Sequence, residues 1–239
     1  MRLPDHWFYT AAAAQPGASV EFDALEAAHA TKVLRLRSGD GLQWVDGRGG
    51  RHRGRISEIT RAAMSAVVDS TSTDPPTSPL RLHVGILHDA TRLEWLVEKA
   101  TELGATQVSL LQASRVQRVR YRRERLEAKV LAAVKQSGRA YLPTLAEQSF
   151  AEAVSRFAAL GGSASGALAH CHTDRPRLRL SEAGAGGGVT DLFIGPEGDF
   201  TGAEIDAAAA AGIVGVSIGK VRLRTETAAL AALAVVALR

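Results

Sequence analysis

The most constraining stretch runs from Leu192 to Leu238, where two short apolar runs each break at a glycine loop and each loop leads into a helix. Leu192 to Ile194 are bulky, and Gly195-Pro196-Glu197-Gly198 then supply residues that set unusual backbone angles at little steric cost. Thr201 and Glu204 have the spacing of a capping box, so a helix is expected directly after this loop, ending at Gly212. Ile213 to Ile218 reads as the next strand, and Gly219 opens a second loop that reaches Thr225. Loops at the carboxyl ends of two strands in an open α/β sheet lie where such folds hold ligands. The plainer alternative is a pair of ordinary strand-to-helix turns.

Upstream, the polar and proline-rich Thr71 to Pro79 can continue neither a helix nor a central strand, and it divides the chain. Before it, Gly41 to Val45, Gly54 to Ile59 and Met64 to Val68 read as short strands, with Asp46-Gly47 as a hairpin turn, predicting a small β-rich domain over residues 1–73. Arg48, Arg51, Arg53 and Arg55 interleave with glycine and His52 as a mobile basic hairpin suited to phosphates, or as an exposed strand that binds nothing. After the divide, over 80–239, strands alternate with helices, which predicts an α/β domain with a largely parallel sheet covered on both faces. Expected strands are Leu82 to Leu87, Val108 to Leu111, Ala167 to Ala169 and Val189 to Ile194. Thr91 with Glu94 suggests a capping box for a helix stopped by Gly104, and a further helix should run to about Ser137. The helix after Thr225 is apolar nearly all round, so it should be covered on most sides, by a second copy or by its own monomer.

Composition narrows the class. The first fourteen residues lack the pattern of a signal peptide, and Ala228 to Leu238 is too short an apolar run to span a bilayer. The lone Cys171 fits a reducing cytoplasm. The net charge is only +4, but the arginines cluster, as in the run Arg115, Arg118, Arg120, Arg122, Arg123 and Arg125 around Tyr121. Such clusters suit a polyanion, with a solvated face as the alternative. His170-Cys171-His172 with Asp174 lacks paired metal-ligand spacing, so no metal is expected.

The combination of IGPEG (194–198) with IGKVRLRTETAAL (218–230) resembles the RsmE family, ribosomal RNA small subunit methyltransferases of the knotted SPOUT class. Glu98 to Gly104, Ser114-Arg115, Lys135 to Arg139 with Pro143, and His29 through Arg35 to Gly39-Asp40 extend the resemblance over most of the chain. Two departures stand out: Asp199 replaces a usual glycine, and Arg222 falls one place later than the usual first arginine.

The resemblance implies a carboxyl-terminal trefoil-knotted methyltransferase domain behind a PUA-like β-barrel. It also implies transfer of a methyl group from S-adenosyl-L-methionine to N3 of a uridine in 16S ribosomal RNA, by a homodimer with the cofactor near its interface. On this basis Gly195, Gly198 and Gly219 bring backbone groups to the adenosine, Ile194, Ile218 and Leu223 pack its faces, and Pro196, Glu197, Arg224 and Thr227 complete the cofactor site. His170 would line the same edge, or is simply a polar residue ending its strand. N3 of uridine is a weak acid, so a base or a nearby cation must assist. The candidate catalytic residues are Glu197 and Glu226 as carboxylates and Arg115 and Arg224, with Arg222, as cations; an arginine oriented by a carboxylate would hold the uracil anion. Glu226 could equally cap the last helix. RNA contacts are expected from His29, Arg35, Arg37, Arg51, Arg53, Arg118, Arg120, Arg122 and Arg123. The alternatives are a methyltransferase of this class acting on another RNA and a non-catalytic ribosome-assembly protein.

Overall fold

A computed structural model describes residues 6–12, 14–60, 62–116, 120–183 and 189–238. By their contacts they form two units, one running up to Thr77 and including Leu131–Leu142, the other comprising Ser78–Val130 and Pro143 onward.

The first unit contains β1 (Trp7–Tyr9), β2 (Ser19–Phe22), helix α1 (Ala24–Ala28) continued by a π-helical turn (His29–Val33), β3 (Gly41–Val45), β4 (Gly50–Ile59) and β5 (Met64–Thr73). They make one sheet in the order β1-β3-β4-β5-β2, antiparallel except for β1 with β3. Along β4, His52, Gly54 and Ile56 point inward while Arg53 and Arg55 point to solvent, the period of a half-buried strand. Phe8, Phe22, Leu42, Trp44, Ile56 and Met64 fill the core. The long β4 corrects the mobile basic hairpin: Arg51, Arg53 and Arg55 belong to the sheet's middle strand, bent by two register shifts against β5. β5 also runs three residues into the polar divide, because Thr71 and Ser72 pair with His52 and Arg51. Asp74 and two prolines then end it.

The second unit is α/β. Its elements are β6 (Arg81–Gly85), α2 (Ala90–Glu102), β7 (Gln107–Gln112), α3 (Arg123–Ser137, whose residues from Leu131 group with the first unit), β8 (Thr144–Ser149), α4 (Phe150–Leu160), β9 (Gly166–Ala169), β10 (Leu178–Arg179), β11 (Asp191–Ile194), α5 (Gly202–Ala210), β12 (Val214–Ser217) and α6 (Thr225–Ala237). Seven strands form one parallel sheet in the order β10-β12-β9-β11-β6-β7-β8. The chain walks outward from β6 to β8, returns as β9, and later inserts β11 between β9 and β6. The strand order therefore reverses at β11, and the crevice outside the carboxyl ends there is the place for a ligand.

Thr201 and Glu204 form the expected reciprocal capping box of α5. The box expected from Thr91 and Glu94 is corrected: α2 is capped by Asp89, whose carboxylate accepts from the Thr91 and Arg92 N–H groups, so the helix starts earlier. β8 and α4 escape the sequence reading, although Ser149 and Glu152 form another capping box. α6 buries one stripe, Thr225, Glu226, Ala229, Ala232 and Leu233, against α2, β6 and β11, and its remaining apolar positions stay partly exposed. At the opposite, amino-terminal edge of the sheet, the buried Asp191 carboxylate accepts from Arg81 at 2.6 and 2.7 Å, Thr190 at 2.8 Å and the His83 ring at 3.0 Å. Burial works to raise its pKa, but these donors prevail and hold it at about 2. No helix among the described residues is long and apolar enough to cross a membrane.

Candidate active site

A cavity of about 540 Å³ opens at the carboxyl ends of β9, β11 and β12. Its wall comprises Ala169, His170 and Cys171 at the end of β9, Ile194 to Glu197 with Asp199 at the end of β11, and Val216 to Gly219 with Val221 to Thr225 from the end of β12 onward; Arg92, Arg177 and Ala228 complete it. The size is that of a small-molecule pocket, and its lining mixes apolar side chains with charged and polar ones.

Local chemistry fixes the loops. Gly195 carries its carbonyl toward α6, where the buried Thr225 hydroxyl donates to it at 3.0 Å and ties the start of that helix to the first loop. Gly85 in β6 must lack a side chain, since a Cβ there would stand 2.5 Å from the Pro196 nitrogen. Asp199, the departure from the usual glycine, has a left-handed backbone (φ 64°), which Asp tolerates better than most residues. Its carboxylate accepts from the Cys171 and Phe200 N–H groups, each at 2.8 Å. The substitution thus cross-links the first loop to the end of β9.

His170 is buried, and neither ring nitrogen has a hydrogen-bond partner among the described residues. Burial, then the nearby Arg177, lowers its pKa, so the ring is neutral at neutral pH. The ring lies against Gly215, where a Cβ would come within 2.9 Å of Nε2. A buried ring with two unspent hydrogen-bonding atoms on a cavity wall fits a polar ligand.

Of the residues expected at a cofactor, His170, Ile194, Gly195, Pro196, Glu197, Ile218, Gly219, Leu223 and Arg224 come together on this wall. Gly198 and Thr227 do not, nor do the catalytic candidates Arg115 and Glu226. Gly198 turns toward Arg115, whose guanidinium donates to its carbonyl at 2.7 Å. Thr227 faces solvent, and Glu226 points between α6 and α2, where its Oε1 lies 3.8 Å from Arg92 Nη1. Sequence reasoning missed Arg92, Arg177, Cys171, Ser217 and Thr225 on the lining. Strand-end position signals two of these, Cys171 and Ser217, but nothing local marks Arg92, which arrives from α2.

The RNA candidates divide by unit. In the first, His29 sits half-buried in the π-helical turn, its pKa lowered by burial and then by Lys135 and His6. Arg35 is exposed with a left-handed backbone (φ 56°), and Arg37 and Arg53 are exposed. Arg51 is committed elsewhere: its Nε donates to Asp74 at 2.7 and 2.9 Å and its guanidinium lies 4.9 Å over Trp7. In the second unit Arg120 and Arg122 are exposed, whereas Arg123 donates to Glu127 and to the Leu145 carbonyl, each at 2.9 Å. Arg118 lies outside the described residues. Tyr121 donates to Glu147 at 2.5 Å; burial, then that carboxylate, pushes its pKa up.

Comparison with known proteins agrees with this architecture. A family model described as RNA methyltransferase domain matches residues 74–237, and one described as RNA methyltransferase PUA domain matches 23–68. Fold and cleft thus define a two-module RNA methyltransferase with its cavity at the carboxyl edge of a parallel sheet. Ribosomal RNA small subunit methyltransferase E of Mycobacterium bovis is 32% identical, over 96% of this chain and 90% of that protein. A probable rRNA-methyltransferase from Porphyromonas gingivalis superposes with a TM-score of 0.82 at 31% identity, covering 95% of both chains. Ribosomal RNA small subunit methyltransferase E from Neisseria gonorrhoeae, bound to S-adenosyl methionine, also gives 0.82, at 26% identity over 96% of this chain and 95% of that one. The chain belongs to the ribosomal RNA small subunit methyltransferase E family.

Proposed function

We propose that this protein transfers a methyl group from S-adenosyl-L-methionine to N3 of a uridine in 16S ribosomal RNA of the small subunit. The observation that carries the reading is that both glycine loops build one cavity, with the His170 ring, whose nitrogens have no hydrogen-bond partner among the described residues, in its wall. When bound, the cofactor supplies an electrophilic methyl on a sulfonium. Ile194, Val216, Ile218 and Leu223 would enclose the flat base, while loop backbone groups and His170 meet its polar edge. Alignment of the two reactants is worth about 7 to 11 kcal/mol. The domain over 1–73 would grip RNA through Arg35, Arg37 and Arg53, and the domain over 80–239 would perform the transfer, with Arg120 and Arg122 along the RNA.

The protein would work in the cytoplasm as a homodimer, which the half-exposed apolar positions of α6 (Leu230, Ala231, Val235 and Val236) and the exposed Trp95 of α2 support. The resemblance also carries a trefoil knot, which the insertion of β11 between β9 and β6 suits. The test is to incubate the protein with small ribosomal subunits lacking their native methylations and labelled cofactor, then map the modified base. Label on N3 of one 16S uridine is the expected result; label confined to transfer RNA, or none, overturns the reading.

A further inference from the structure

Four arginines, Arg92, Arg177, Arg222 and Arg224, line the cavity against two carboxylates, Glu197 and Asp199. The methyl donor brings only one carboxylate beside its sulfonium and ammonium, so the rest of that surplus suits an anionic acceptor. Two of the four already donate to carbonyls: Arg177 to His170 at 2.9 Å and Arg222 to Glu197 at 3.4 Å. Arg92 alone of the four lies in ion-pair range of a buried carboxylate. That carboxylate, Glu226, is under-satisfied: Oε1 reaches Arg92 only at 3.8 Å, and the buried Oε2 has no hydrogen-bond partner among the described residues. The Arg92 side chain itself stays 39% exposed. A buried carboxylate with so few partners is costly. Catalytic contacts are often this long before the reacting complex assembles.

We propose that Arg92 is the catalytic cation that holds the negative charge of the methyl-accepting base, with Glu226 as the residue that positions it. This rests on the function proposed above. The N3 proton leaves to water, the N3 lone pair forms the bond to the methyl carbon, and the carbon–sulfur bond breaks with its electron pair staying on sulfur. The deprotonated uracil shares its charge with O2 and O4, and a planar guanidinium presents paired N–H donors to such an edge. Besides Glu226, the exposed Asp89 that caps α2 lies 3.9 Å from Arg92. Glu197, Asp199, His170 and Cys171, with the guanidinium groups of Arg177, Arg222 and Arg224, are the other titratable and charged groups on the cavity wall.

The experiment is single-turnover methylation of under-methylated small subunits across a pH series by the wild type, Arg92→Met, Arg92→Lys and Glu226→Gln. Calorimetry with the demethylated cofactor product reports the cofactor site separately. Arg92→Met should lose about 10²-fold at neutral pH, the usual cost of removing one charge-stabilising donor. Because the lost charge can be recovered by hydroxide, its pH–rate inflection should rise by about one unit or more, with cofactor affinity within about threefold of wild type. Arg92→Lys should recover part of the shift, and Glu226→Gln should fall between; these two carry the test should Arg92→Met not fold. An unchanged inflection in all variants, or a rate loss matched by cofactor loss, overturns the role of Arg92 while leaving the proposed function standing. A wild type that binds cofactor yet methylates no small-subunit base overturns that function and this inference together.

Discussion

Asp199 offers a test in which two opposing terms can be separated. Replacing it with alanine removes both carboxylate bonds to the Cys171 and Phe200 N–H groups and leaves a side chain in a left-handed backbone. Each bond is worth about 0.5 to 1.5 kcal/mol net, so Asp199→Ala should destabilise by about 1 to 3 kcal/mol, more if alanine tolerates this backbone less well than aspartate. Asp199→Gly loses the same bonds but relieves a left-handed penalty of about 1 to 2 kcal/mol, and should lie nearer the wild type. The glycine variant should therefore be the more stable by about 1 kcal/mol, with a corresponding gap of about fivefold in cofactor affinity if the loss stays within the loop. Urea unfolding and calorimetry with S-adenosylmethionine measure the two quantities. Equal stability of the two variants would refute the account, because it would mean that the backbone angle carries no cost at this position.

Three further predictions follow from the geometry. Asp191 titrates at about 2 in the fold against an unperturbed 3.8, so the unfolded chain binds its proton first as acid is added. Its contribution, about 2 kcal/mol, should be complete above about pH 4 and lost as pH falls toward 2; Asp191→Asn, unfolded alongside the wild type over that range, should abolish this pH-dependent term. In RNA binding, Arg53→Ala should lower the salt slope by about 0.7 to 0.9 for each phosphate that Arg53 neutralises. Arg51→Ala, whose guanidinium is held by Asp74 and Trp7, should instead lower the melting temperature and leave the slope unchanged. Gly85→Ala drives a Cβ into the Pro196 backbone, so the first loop must move, and cofactor affinity should fall by about tenfold or more in calorimetry; an unaltered affinity would mean the loop does not shape the site.

Local chemistry was readable from the residues alone. Glycine and proline mark the loops at Gly195 and Gly219, Thr201 with Glu204 announces α5, and α3 ends at Ser137, because turns and caps depend on neighbours a few residues apart. The ordered motifs IGPEG and RLRTETA carried the family. What the residues did not disclose is direction. Gly198 turns to Arg115 and Glu226 to Arg92, while Arg51 is taken by Asp74, because each outcome depends on the rotation of a loop or helix and on strand register. Arg92 enters the cavity from a helix about a hundred residues earlier in the chain, and only the insertion of β11 beside β6 brings the two regions together. Sequence thus determined which segments turn, cap and pair, since those choices are local, and its two motifs placed most of the expected residues on the cavity wall; packing decided which other side chains join them, since that requires segments distant in the chain to meet.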